Sequence, residues 1–104
     1  MTEEKREART ACLTEVTFDH EGMTFSGRIT DLSAGGFYVD TINPLPVGAL
    51  IVFRFVLPGM SAEGAVIGEA RVAWQQPFQG MGVRYDWLSD EDKDKLIRFI
   101  QGGS

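Results

Sequence analysis

Apolar residues in this chain recur mostly at every second position, in short runs cut by turn residues. In the run 49–57, Ile51, Phe53, Phe55 and Leu57 share one face and Arg54 lies on the other, the period of a half-buried strand. In 64–74, Val66, Ala70, Val72 and Trp74 oppose Glu69 and Arg71; in 80–87, Met81, Val83 and Tyr85 oppose Arg84 and Asp86. Three more runs, 11–18, 24–30 and 36–41, read as strands of similar size. Between them stand "DHEG" (19–22), "DLSAGG" (31–36), "NPLPVG" (43–48), "LPGMSAEG" (57–64) and "QPFQG" (76–80), each with Gly, Pro, Asp or Asn. Six strands at this spacing predict a barrel or sandwich of mostly antiparallel hairpins, with the named faces as its core. The other face of the fourth strand, Leu50, Val52 and Val56, is apolar too, so it is also expected to be covered.

After residue 88 the period becomes helical. Ser89 is placed to cap a helix over 89–101, with Asp92 three positions on, as in a capping box with Asp in place of Glu. Acidic residues fill the first turn, where the helix dipole favours them, and Gly102-Gly103 end the segment. Lys93, Leu96, Ile97 and Ile100 form one stripe, which predicts a helix packed over one side or mouth of the sheet structure with Ile97 and Ile100 buried.

Composition narrows the class of molecule. A chain of 104 residues with 43% hydrophobic and 24% charged residues fits one soluble domain and does not fit intrinsic disorder. No apolar run approaches the length of a membrane span, and the charged start "MTEEKREAR" does not read as a signal peptide, so a cytoplasmic location is expected. The net charge of −5 would repel a long phosphate backbone, which argues against binding a nucleic-acid polymer. Cys12, the single cysteine, can form no internal disulfide and is expected to be a small buried hydrophobe. His20 is also alone, in a turn where it is expected to be solvated. With neither a nucleophile–base pair nor a metal-ligand set, the sequence does not read as an enzyme, and no cofactor or metal is implied.

Two stretches remain that could bind a small anion. "KREAR" (5–9) brings Lys5, Arg6 and Arg9 just ahead of the first strand, and arginine forks suit phosphate and the O6/N7 edge of guanine. Residues 1–9 are expected to form the basic arm, with Glu3, Glu4 and Glu7 offsetting its three cations and 1–8 flexible in the absence of ligand, and 10–104 to form the single domain. In "DLSAGG", Asp31 and Ser33 suit turn hydrogen bonds, and Gly36 suits a backbone angle that other residues avoid. The same Asp31 carboxylate could accept from the N1–H and N2–H₂ edge of guanine, with the Ser33 hydroxyl beside it and Gly36 leaving room for a ligand. Residue chemistry alone leaves turn and site equally open.

The chain resembles the PilZ domain family, bacterial receptor modules for the second messenger cyclic di-GMP. The resemblance rests on Asp31, Ser33 and Gly36, which match Asp/Asn-x-Ser-x-x-Gly, and on Arg9, which matches the second arginine of Arg-x-x-x-Arg. "PLPVGALIVFRFVLPG", "RVAW", "GMGVRYDWLSDED" and the terminal helix extend it over nearly the whole chain. It implies a six-stranded antiparallel β-barrel of split-barrel type with a C-terminal α-helix. It also implies a non-enzymatic receptor or adaptor, acting in motility or biofilm regulation through an effector protein that the sequence does not identify. Lys5, Arg6, Arg9, Asp31, Ser33 and Gly36 would bind the dinucleotide. The first arginine of the pattern falls on Lys5, which keeps the charge and loses the fork; Arg6 is adjacent. Losing one charge-assisted bidentate contact costs about 1.5–3 kcal/mol, roughly ten- to a hundredfold in affinity. The second reading is therefore a degenerate adaptor that binds a protein without nucleotide.

Overall fold

The computed structural model describes residues 9–60 and 62–102, with side chains except those of 9–13, 62 and 102. Six strands form: β1 (Arg9–His20), β2 (Met23–Ser33), β3 (Gly36–Asp40), β4 (Leu50–Val56), β5 (Ala65–Gln76) and β6 (Gly80–Leu88). One helix, α1 (Asp90–Gly102), follows β6, and a 3₁₀ turn (Ala62–Gly64) precedes β5. All pairings are antiparallel, and the order β1-β2-β3-β6-β5-β4 closes where β4 pairs with β1, so the sheet is a barrel and not a sandwich. Closure leaves each strand paired on both sides over part of its length, so that no strand is an edge strand throughout.

The hairpins follow from their turn residues. Glu21 and Gly22 both have positive φ, 51° and 81°, in a two-residue link whose twist matches that of the flanking strands. Pro77, Phe78 and Gln79 join β5 to β6, with the Gln79 N–H donating to the Gln76 carbonyl at 3.0 Å. His20 closes β1 half-buried, not solvated as its turn position suggested: its ring Nδ1 lies 3.0 Å from the Leu50 carbonyl. Cys12 falls in β1, and its side chain lies outside the described residues.

The barrel interior holds the alternating apolar positions. Ile51, Phe53, Phe55 and Leu57 are buried as their period predicts, as are Val66, Ala70, Val72, Met81 and Val83. Phe37 meets the rings of Phe53 and Phe55 edge-on, at 5.1 and 5.6 Å between centroids. Two expectations fail. On the outer face of β4, Leu50 is 41% and Val52 46% exposed, and the described residues do not cover them. Trp74 turns out of the core for the reason given below.

The helix covers a barrel end beside β5. Its Ser89 cap forms: the Asp92 N–H donates to Ser89 Oγ at 3.1 Å. The Asp92 carboxylate, expected to complete the capping box, accepts from the Ile67 N–H at 3.1 Å instead. Lys95 Nζ donates to the Ala65 carbonyl at 3.0 Å. Both contacts serve β5 beyond its last pair with β6, Gly68 with Leu88, where its backbone groups have lost their strand partner on that side. Leu96 is the buried anchor, whereas Ile97 remains 39% exposed because the stripe is wider than the contact. Among the described residues no helix is long and apolar enough to cross a membrane.

Candidate functional site

Strict alternation along β2 from Ile29 would turn Asp31 inward and Leu32 outward. The pairing with β3 shifts register between Ile29 and Asp31, so that Thr30 bulges. Leu32 consequently enters the core, and Asp31, paired with Tyr38, moves to the outer face. β2 continues to Ser33, so the turn proper is Ala34-Gly35, shorter than the 31–36 predicted. Ser33 is buried and locks that turn: its Oγ donates to the Gly36 carbonyl at 3.3 Å and accepts from the Gly35 N–H at 3.2 Å.

Gly36 is required for a different reason from the one its turn position suggested. Its φ is not among the positive values of the chain. A Cβ there would fall 1.9 Å from the Val83 carbonyl oxygen and 3.0 Å from the Arg84 Cα. The glycine therefore permits β3 to approach β6 this closely; an unusual backbone angle is not involved.

A second bulge builds the other wall. In the β5–β6 pairing Val72 faces Val83 and Trp74 faces Gly82, so Ala73 is the extra residue and Trp74 is rotated outward, 49% exposed. Its indole stacks on Tyr38 at 5.3 Å with 27° between planes. Gly82 and Gly80 make space for the two rings: a Cβ on Gly82 would lie 2.3 Å from Trp74 Nε1, and one on Gly80 2.4 Å from the Tyr38 hydroxyl. Partial burial, and then the charge of Asp40, push the Tyr38 phenol above its ordinary value of 10.0, so it stays a neutral donor and acceptor at neutral pH. Trp74 and Tyr38 escaped the sequence reading because a bulge inverts alternation. The signal available for them was the pair Gly80 and Gly82, two apart on one strand face, which calls for bulky neighbours lying over them.

These elements enclose an open cavity of about 180 Å³ lined by Asp31, Ser33, Gly35, Gly36, Phe37, Tyr38, Ala73, Trp74, Gly82, Val83 and Arg84. Three of the sequence-predicted site residues, Asp31, Ser33 and Gly36, thus meet at one cavity. Arg9 was expected to end the arm and instead begins β1, with its backbone in register with Ser33, so the chain enters the barrel beside the cavity. The Arg9 side chain and all of Lys5 and Arg6 lie outside the described residues. No group of His, Cys, Asp and Glu able to hold a metal occurs among the described residues. Chemically, the cavity offers a carboxylate acceptor, two hydroxyls, a guanidinium and an exposed aromatic face. That set suits a planar, polar, anionic ligand and contains no nucleophile–base pair.

The PilZ domain model matches residues 3–102. The chain belongs to the PilZ domain family. Solved structures agree in fold with this PilZ domain. The Bacillus subtilis inhibitor of motility MotI/DgrA superposes with a TM-score of 0.80 at 19% identity, over 94% of this chain and 50% of that one. The PilZ domain with c-di-GMP of YcgR from Escherichia coli gives 0.74 at 18% identity, over 93% and 88%. The PilZ domain of CeSA from a cellulose-synthesizing bacterium gives 0.66 at 23%, over 90% and 95%. The chain spans about half the length of MotI/DgrA. No curated protein sequence matches it significantly.

Proposed function

We propose that this PilZ domain is a non-enzymatic receptor for cyclic di-GMP that transmits the bound state to an effector protein. The observation that carries the reading is the convergence of Asp31, Ser33 and the Trp74–Tyr38 stack on one cavity beside the point where the basic arm meets β1. A guanine stacks on the exposed indole, with its N1–H and N2–H₂ edge toward the Asp31 carboxylate and the Ser33 hydroxyl nearby. Ligand pockets usually exceed about 300 Å³. A cavity of about 180 Å³ therefore takes one base and leaves the rest of a dinucleotide on the open face. Lys5, Arg6 and Arg9 close over that remainder and bind phosphates and guanine edges, so that ligand reshapes the surface shown to a partner. The YcgR PilZ domain, solved with c-di-GMP, supports this ligand class, and cytoplasmic action in motility or biofilm control follows from the same reading.

Lys5 in the place of an arginine fork favours one other reading, an adaptor that binds its partner with no nucleotide. Calorimetric titration with cyclic di-GMP separates the two. Binding in the micromolar range, weakened at least tenfold in Arg9→Ala and in Asp31→Ala, is the receptor outcome. No heat at tens of micromolar ligand leaves the adaptor.

A further inference from the structure

Arg84 is the next outward residue on β6 after Gly82, and it lines the cavity together with Asp31 and Ser33. Its cross-strand neighbours are Gly36 on β3 and Arg71 on β5. The first has no side chain to offer, and the second carries the same charge. Like charges directly opposed across strands destabilise the pair. Arg71 has partners of its own: its Nη2 donates to Asp86 Oδ2 at 3.1 Å and its Nη1 to the Gly48 carbonyl at 3.3 Å. The Arg84 side chain forms no ion pair or hydrogen bond with any of the described residues. A guanidinium is thus held in the cavity at some cost to the sheet, with its five N–H donors available.

We infer that Arg84 is a phosphate-binding residue of this cavity, supplying the forked cation that Lys5 does not. The inference rests on the receptor reading above and adds a residue from the barrel wall to a site otherwise read from arm and turn. Arg84 and Asp31 stand on β6 and β2, either side of β3, two strand spacings of about 5 Å each apart; Asp31 pairs with Tyr38 and Tyr38 with Gly82, so Arg84 lies a further two residues along β6. A guanine edge at Asp31 leaves the sugar and phosphate to run across β3 toward Arg84. Gly36, which lies between them in register with Arg84, presents no side chain to obstruct that path. The guanidinium donates two parallel N–H bonds to the phosphate oxygens, and the bound anion screens the Arg71–Arg84 opposition.

The test is calorimetric titration of cyclic di-GMP into the unaltered chain, Arg84→Ala and Arg84→Lys, with a thermal melt of each free protein. Arg84→Ala weakens binding about ten- to a hundredfold. Arg84→Lys recovers part of the loss, because an ammonium keeps the charge without the fork. Free Arg84→Ala melts at or above the temperature of the unaltered chain, since the like-charge opposition is gone; a residue needed only for the fold would lower it. Equal binding by Arg84→Ala overturns the inference and leaves the receptor reading standing. A lowered melting temperature in Arg84→Ala overturns it as well, by assigning the residue to the fold. Absence of binding by the unaltered chain overturns both.

Discussion

Gly36 and Trp74 show how single residues here serve packing and site together. At Gly36 the nearest atoms to an added Cβ belong to the backbone of β6, which cannot rotate aside. Gly36→Ala therefore forces β3 and β6 apart, and a destabilisation of about 1–3 kcal/mol is expected, read as a lower denaturation midpoint with unchanged slope. Trp74 behaves in the opposite way. Half of the indole is exposed and its partner Tyr38 lies on the same outer face, so Trp74→Ala should change stability by about 1 kcal/mol or less. The same substitution should weaken cyclic di-GMP binding by about 1–3 kcal/mol, the worth of a base–aromatic stack, measured by titration calorimetry. The motif Asp31-x-Ser33-x-x-Gly36 was legible as a local pattern. Trp74 was not, because its outward orientation depends on one extra residue in a register set by another strand.

Among the elements, α1 depends most on a few identifiable contacts. Ser89 caps it, Asp92 and Lys95 serve the unpaired end of β5, and Leu96 anchors it to the barrel. Ser89→Ala should cost about 1 kcal/mol, seen in the denaturation midpoint, and restoration by Ser89→Asp would identify the loss as one of capping. The helix was readable from its cap, acidic first turn and 3.6-residue period. Its seat on β5 was not, since that depends on where β6 leaves the sheet. Strand identities came from period two and turn residues. Strand lengths were underestimated at β1 and β2, whose bulges interrupt alternation while the pairing continues.

At the scale of the whole molecule, closure of the barrel gives a rigid frame on whose outer face the cavity lies. A ligand that binds only the folded state adds RT ln(1 + [L]/Kd) to its stability. Cyclic di-GMP at a hundredfold excess over its Kd should therefore stabilise the domain by about 2.7 kcal/mol, seen as a rise in melting temperature that scales with ligand concentration. The same addition should stabilise Asp31→Ala by no more than about 1.4 kcal/mol, the value for a tenfold weaker Kd. The net charge of −5 does not oppose this, because a local guanidinium acts at short range while the global field is screened within about 10 Å.

By itself the sequence determined the number and kind of elements, most of the core and the residues of the Asp-x-Ser-x-x-Gly stretch, because these are written in local period, turn chemistry and spacing. The tertiary structure decided which way Asp31 and Trp74 face, why position 36 is glycine, and that Arg84 shares their cavity. Each of those depends on the register between strands distant in sequence, and a bulge of one residue reverses every side chain beyond it.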